Sequence, residues 1–118
     1  MNVNDKQIGG DHYKNLSYEV WDFVTDMEMP FILGSAVKYI ARFKNKNGID
    51  DLKKSSHFLE KAIDLNMIYL CDDLSYFNKF AEQFDSNQGC IIYSILLGNF
   101  DRAIDKINSL IEETNTYQ

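Results

Sequence analysis

Proline occurs once in these 118 residues, at Pro30, so little in the chain forbids long helices. Cysteine occurs twice, at Cys71 and Cys90, far apart and without the close-spaced Cys or His partners of a structural zinc site. Two small buried thiols in a reducing compartment are expected. No apolar run approaches the length that crosses a bilayer, and the opening Met1-Asn2-Val3-Asn4-Asp5-Lys6 lacks the basic and apolar regions of a signal peptide. A cytoplasmic protein with no membrane partner is expected. Basic residues are the minority, 12 Lys and Arg against 18 Asp and Glu, which gives a formal charge of −6 and a pI near 4.7. Wrapping an extended nucleic acid takes many unopposed cations, so that class is set aside. No G-x-x-x-x-G-K-[ST] loop is present, nor the Glu-x-x-Glu arrays of an all-α pyrophosphohydrolase.

What is present is a chain with 45% hydrophobic and 14% aromatic residues, enough for the core of one domain. Apolar spacings of three and four dominate after Pro30, which predicts an all-α fold, a compact small helical bundle with a C-terminal helical hairpin. The first helix is predicted from near Ser17, with Trp21, Val24 and Met27 on its inner stripe, and the second over residues 31–43, with Leu33, Val37 and Ile40 inward. Gly48 closes the next loop, Asp50 caps a third helix, and Leu52, Ser56, Leu59, Ile63 and Leu70 form its buried stripe. Asp72-Asp73 restarts the chain with Leu74, Phe77, Ala81 and Phe84 inward, and residues 85–89 read as a turn. Residues 90–97 and a last helix carrying Phe100, Ala103, Ile104, Ile107 and Ile111 make the hairpin, turning at Gly98-Asn99 and fraying after Glu113. The organisation expected is a core over residues 1–72 and an extension over 73–118 that docks on it or forms an oligomer contact, a single domain overall.

Two clusters stand apart from packing needs. Ile8-Gly9-Gly10-Asp11-His12-Tyr13-Lys14 joins a glycine pair, whose backbone N–H groups suit an anion, to His12, Tyr13 and Lys14, which suit its closure. On the second helix Lys38 and Arg42 are one turn apart and converge on one side, with Tyr39 offering a ring or hydroxyl. Lys46 lies in an Asn- and Gly-rich loop, and Asp50, Lys53, Lys54 and His57 gather near the start of the third helix. Asp50 or Asp51 suits a water-mediated Mg²⁺ and His57 a base or phosphate, although helix capping and Asp–Lys pairing use the same residues. Together the clusters point to a phosphorylated small molecule.

The blocks Ile8-Gly9-Gly10-Asp11-His12-Tyr13-Lys14, Gly34-Ser35-Ala36-Val37-Lys38-Tyr39-Ile40-Ala41-Arg42-Phe43, Lys46-Asn47-Gly48-Ile49-Asp50-Asp51-Leu52-Lys53-Lys54 and His57-Phe58-Leu59 resemble a nucleotide kinase-like family of small bacteriophage proteins, long of unknown function, whose coliphage representative is described as a nucleotide kinase without a standard phosphate loop. The resemblance covers residues 8–64; Phe58 and Ser55 stand where that family usually has Tyr and Ala. It implies a phage protein of the infected bacterial cytoplasm, a homo-oligomer acting on a nucleoside monophosphate with ATP and Mg²⁺. Asp50, Asp51 and His57 would then be catalytic, and Gly9, Gly10, His12, Tyr13, Lys14, Lys38, Tyr39, Arg42, Lys46, Lys53 and Lys54 would bind the nucleotide. Two other readings stand beside it: a non-catalytic sponge that sequesters a nucleotide-derived host immune signal with the same cations, and a helical module that binds a host protein through its acidic surface, the clusters then serving only the fold.

Overall fold

The computed structural model describes residues 16–116, and within them the fold is all-α. Its helices are α1 (Val20–Asp26), α2 (Phe31–Arg42), α3 (Ile49–Asp64), α4 (Ser75–Ala81), α5 (Ser86–Leu96) and α6 (Phe100–Thr116), with a 3-10 turn at Phe43–Asn45. None of the described helices is long and apolar enough to cross a membrane.

The first helix starts later than its periodicity suggests because the Gln83 side chain holds the backbone before it. Gln83 Oε1 accepts from Tyr18 N–H at 2.9 Å, and Gln83 Nε2 donates to Tyr18 O at 3.0 Å. The inner stripe is also rotated: Val20, Phe23 and Met27 are buried, while Trp21 faces outward at 56% exposure. Phe23 decides this, since its ring stacks on Phe80 of α4 at 4.1 Å between centroids while Tyr18 meets both rings edge-on.

Pro30 sets the extended backbone before α2, and Leu33, Val37 and Ile40 are fully buried as their spacing predicts. Gly34 lets α1 close in: a Cβ there would sit 2.8 Å from Val24 Cγ1. Gly48, at φ +53°, turns the chain into α3. It occupies the N-cap position expected of Asp50, which lies instead in the first turn. α3 packs on α2 through small residues, with Ser55 Oγ donating to Ala36 O at 2.9 Å. The buried stripe is Leu52, Ser55, Ser56, Leu59 and Ala62. Ile63 stays partly exposed and Leu70 lies beyond the helix, because α3 stops at Asp64 and Asn66 turns into the left-handed region at φ +52°.

In α4 the buried residue is Phe80, with Phe77, Ala81 and Phe84 only partly covered and Leu74 exposed. The turn expected at residues 85–89 is the first turn of α5. Asp85 accepts from Gln88 N–H at 2.9 Å and Gln88 Oε1 accepts from Asp85 N–H at 3.3 Å, a reciprocal cap that starts the helix. The last helix continues beyond Glu113 to Thr116. Cys71 is half-buried and Cys90 exposed, both as free thiols, which corrects the expectation of buried ones: Cys71 lies on the connector after α3 and Cys90 on the outer side of α5. α5 and α6 pack on each other, α5 also on α2 and α6 along α3, so one apolar core runs through both halves of the chain.

Candidate functional site

The C-terminal half of α2 and the N-terminal half of α3 lie side by side, and their outer edges bring four predicted binding residues together. Lys38 Nζ and the Arg42 guanidinium each lie 4.7 Å from the centre of the Tyr39 ring, and Lys54 Nζ lies 5.5 Å from it. A ring face attracts cations through its quadrupole, so Tyr39 is a pivot around which three positive groups collect. The ring in turn stacks on Phe58 at 5.9 Å and an interplanar angle of 20°. Phe58 lies one turn beyond Lys54 on the same side of α3, and it meets the edge of Phe31 at 6.3 Å. Phe31 opens α2 and is 79% exposed. A row of rings, Phe31, Phe58 and Tyr39, thus leads from an apolar end to a cationic one.

Arg42 is held in place from below. Its Nε and Nη2 donate to the two carboxylate oxygens of Asp51 at 3.3 and 3.2 Å, and Asn47 N–H adds a third bond to Asp51 at 3.2 Å. The Asp51 side chain is wholly buried, and that of Arg42 is 15% exposed. A two-pronged pair of this kind fixes the plane of the guanidinium as well as its position. Asp51 is therefore the anchor of Arg42 and is turned away from solvent, not toward a metal. Asp50, its neighbour, is exposed, and no group of three or more His, Cys, Asp or Glu side chains suited to a cation exists among the described residues.

The other candidates do not join this group. Lys53 and His57 are exposed and one turn apart on α3, and Lys46 is exposed in the loop before it. Gly9, Gly10, His12, Tyr13 and Lys14 lie outside the described residues. Sequence reasoning missed Phe31 and Phe58 as parts of the surface. The available signal was the four-residue step from Lys54 to Phe58, together with a large apolar side chain at the first position of α2.

Residues 8–60, less than half of the chain, match DUF3310, a family described as proteins of unknown function. Neither a curated protein nor a solved structure matches the chain. This corrects the resemblance to bacteriophage nucleotide kinases: the family found over those same blocks carries no known activity, and the kinase assignment and phage origin drawn from the resemblance lose their footing.

Proposed function

We propose that the α2–α3 edge binds a small anionic ligand with a flat aromatic part, and that nucleotides or their derivatives are its chemical class. The observation that carries this reading is the gathering of Lys38, Arg42 and Lys54 around one ring at the end of a row of partly uncovered aromatic side chains. Only the Arg42 charge is matched by a carboxylate in this group. Among the described residues neither Lys38 nor Lys54 has one within ion-pair distance. Three cations crowded together repel one another, and a phosphate that takes charge-assisted hydrogen bonds from them relieves that repulsion. The rings offer a base a stacking surface beside the phosphate end. Binding is the role this geometry supports, because the carboxylate nearest the cations is committed to holding Arg42. A protein that sequesters a nucleotide-derived signal needs no more than this.

Isothermal titration of the full chain with nucleoside mono-, di- and triphosphates and cyclic dinucleotides tests the proposal. The pair of substitutions Lys38→Ala and Lys54→Ala should weaken binding by about tenfold per cation removed. Phe58→Ala should weaken nucleotides while leaving inorganic phosphate binding unchanged. Absence of binding to every member of the panel, or unchanged affinity in the lysine double variant, would sink the reading.

A further inference from the structure

Between α3 and α4 the chain runs without helix or turn through residues 67–71, and side-chain burial alternates along it. Met67, Tyr69 and Cys71 pack against the core, while Ile68 and Leu70 stand outward at 85% and 73% exposure. Alternation with period two is the signature of an extended strand, but this one carries apolar residues on both faces. Its inner side is firmly held. The Tyr69 hydroxyl donates to Met27 O at 2.6 Å, and Met67 N–H donates to Ala62 O at 2.9 Å.

The two edges of the segment differ. A Cβ on Gly98 would lie 2.7 Å from the Tyr69 carbonyl oxygen, so the edge to which Tyr69 directs its carbonyl is closed by the α5–α6 turn. In an extended chain neighbouring residues direct their backbone groups to opposite edges, so Ile68 and Leu70 direct theirs away from Gly98. Among the described residues no backbone hydrogen bond uses the N–H or C=O of either. An anchored, unpaired strand edge with outward apolar side chains is a template for another strand.

We propose that this edge pairs with the same segment of a second copy, forming a short antiparallel ribbon across a two-fold axis centred on Tyr69. In that register Ile68 exchanges both backbone hydrogen bonds with the second copy's Leu70, and the pair repeats by symmetry. Those are the residues whose N–H and C=O groups face the open edge. Ile68 also lies directly opposite the second copy's Leu70 on one face, so the two most exposed aliphatic side chains among the described residues cover each other. Charge fits the same register. Asp72 and Asp73 fall beyond the paired residues 67–71, level with the Leu65-Asn66 turn of the second copy rather than with each other, so neither carboxylate meets its own counterpart across the axis. A slip that moved the axis toward Asp73 would set carboxylates against each other. The inner-face anchors leave little ordering to be done on association.

Sedimentation velocity of the full chain across the micromolar range tests this, together with hydrogen exchange of the backbone amides by NMR. The expected result is a monomer–dimer equilibrium that tightens with added salt, as the −6 charge on each copy is screened. Ile68→Ser with Leu70→Ser should weaken it on the order of 100-fold, with an unchanged circular dichroism spectrum because both side chains are exposed. In the dimer the Ile68 and Leu70 amides should gain protection while that of Tyr69 does not. A chain that stays monomeric throughout, a dimer indifferent to the serine pair, or a dimer in which those two amides gain no protection would each overturn the proposal. Capture of a different protein's strand at this edge by a monomeric chain would overturn it as well.

Discussion

Asp51 carries a large single-residue consequence for stability. Replacing it by Ala leaves Arg42 nearly buried without its carboxylate and removes the acceptor of Asn47 N–H. Removing one partner of a buried pair costs about 3 kcal/mol or more. Asp51→Ala should therefore lower the urea midpoint sharply, and the loss should shrink when Arg42→Met is added, since the guanidinium that Asp51 neutralises is then gone as well. An Asp51→Ala chain as stable as the parent would show that the pair is incidental. The convergence of Lys38 and Arg42 was legible from their one-turn spacing alone. The part played by Asp51 was not, because a carboxylate in the first turn of a helix usually faces water or the helix terminus. Only the close approach of α2, permitted by Ala36 and Ser55, encloses this one.

At the scale of helices, α5 shows how a local polar signal overrides a turn-like composition. Asp85-Ser86-Asn87-Gln88-Gly89 has the residues of a turn, yet the Asp85–Gln88 reciprocal cap makes it a helix start. Partial burial opposes the Asp85 charge, but the Gln88 backbone N–H and the Lys44 ammonium outweigh it and hold the carboxyl below the ordinary aspartate range. A depressed value means that this contribution to stability is complete above about pH 5, where an unfolded aspartate is almost fully ionised, and is lost as pH falls through the unfolded and then the lower folded value. Asp85→Ala should cost about 1 kcal/mol at neutral pH. Asp85→Asn should keep most of the cap and flatten the fall in stability below pH 4, measured by urea unfolding at a series of pH values. An equal acid slope in the Asn variant would assign the acid sensitivity elsewhere. α2 and α3 were readable in outline because apolar residues recur on one side of each. In α1 Met27 is buried and Val24 packs on the core as their spacing predicts, but Trp21 faces outward, because Val20 and Phe23 are the residues drawn in where the Phe80 ring stacks on Phe23.

Across the whole molecule, the cationic edge lies on α2 and α3, but the inner faces of those helices are covered from the C-terminal part: α5 packs on α2 and α6 on α3. A chain ending at residue 72 would leave Leu52, Leu59 and Ile40 without the Ile91, Ile92, Ile95 and Ile107 side chains of the shared core. It should show no cooperative thermal transition by circular dichroism. A sharp transition in that shortened chain would mean that the first half is self-sufficient. The all-α class was legible from a scarcity of proline and a steady three-and-four spacing. The row of rings was not, because Phe31 and Phe58 are brought together only when two helices align.

One amide links these scales. Gln88 donates through Nε2 to the carbonyl oxygen of Ile40 at 3.0 Å, one of the terminal carbonyls that α2 cannot satisfy within itself, while its Oε1 completes the cap of α5. When the first turn of α5 opens, even briefly, the last turn of α2 loses a partner in the same event. The lifetime of the Arg42 end of the ring row is thereby tied to the opening rate of a helix from the other half of the chain. A substitution in α5 that touches no ligand can still shorten the time for which the whole row stands assembled.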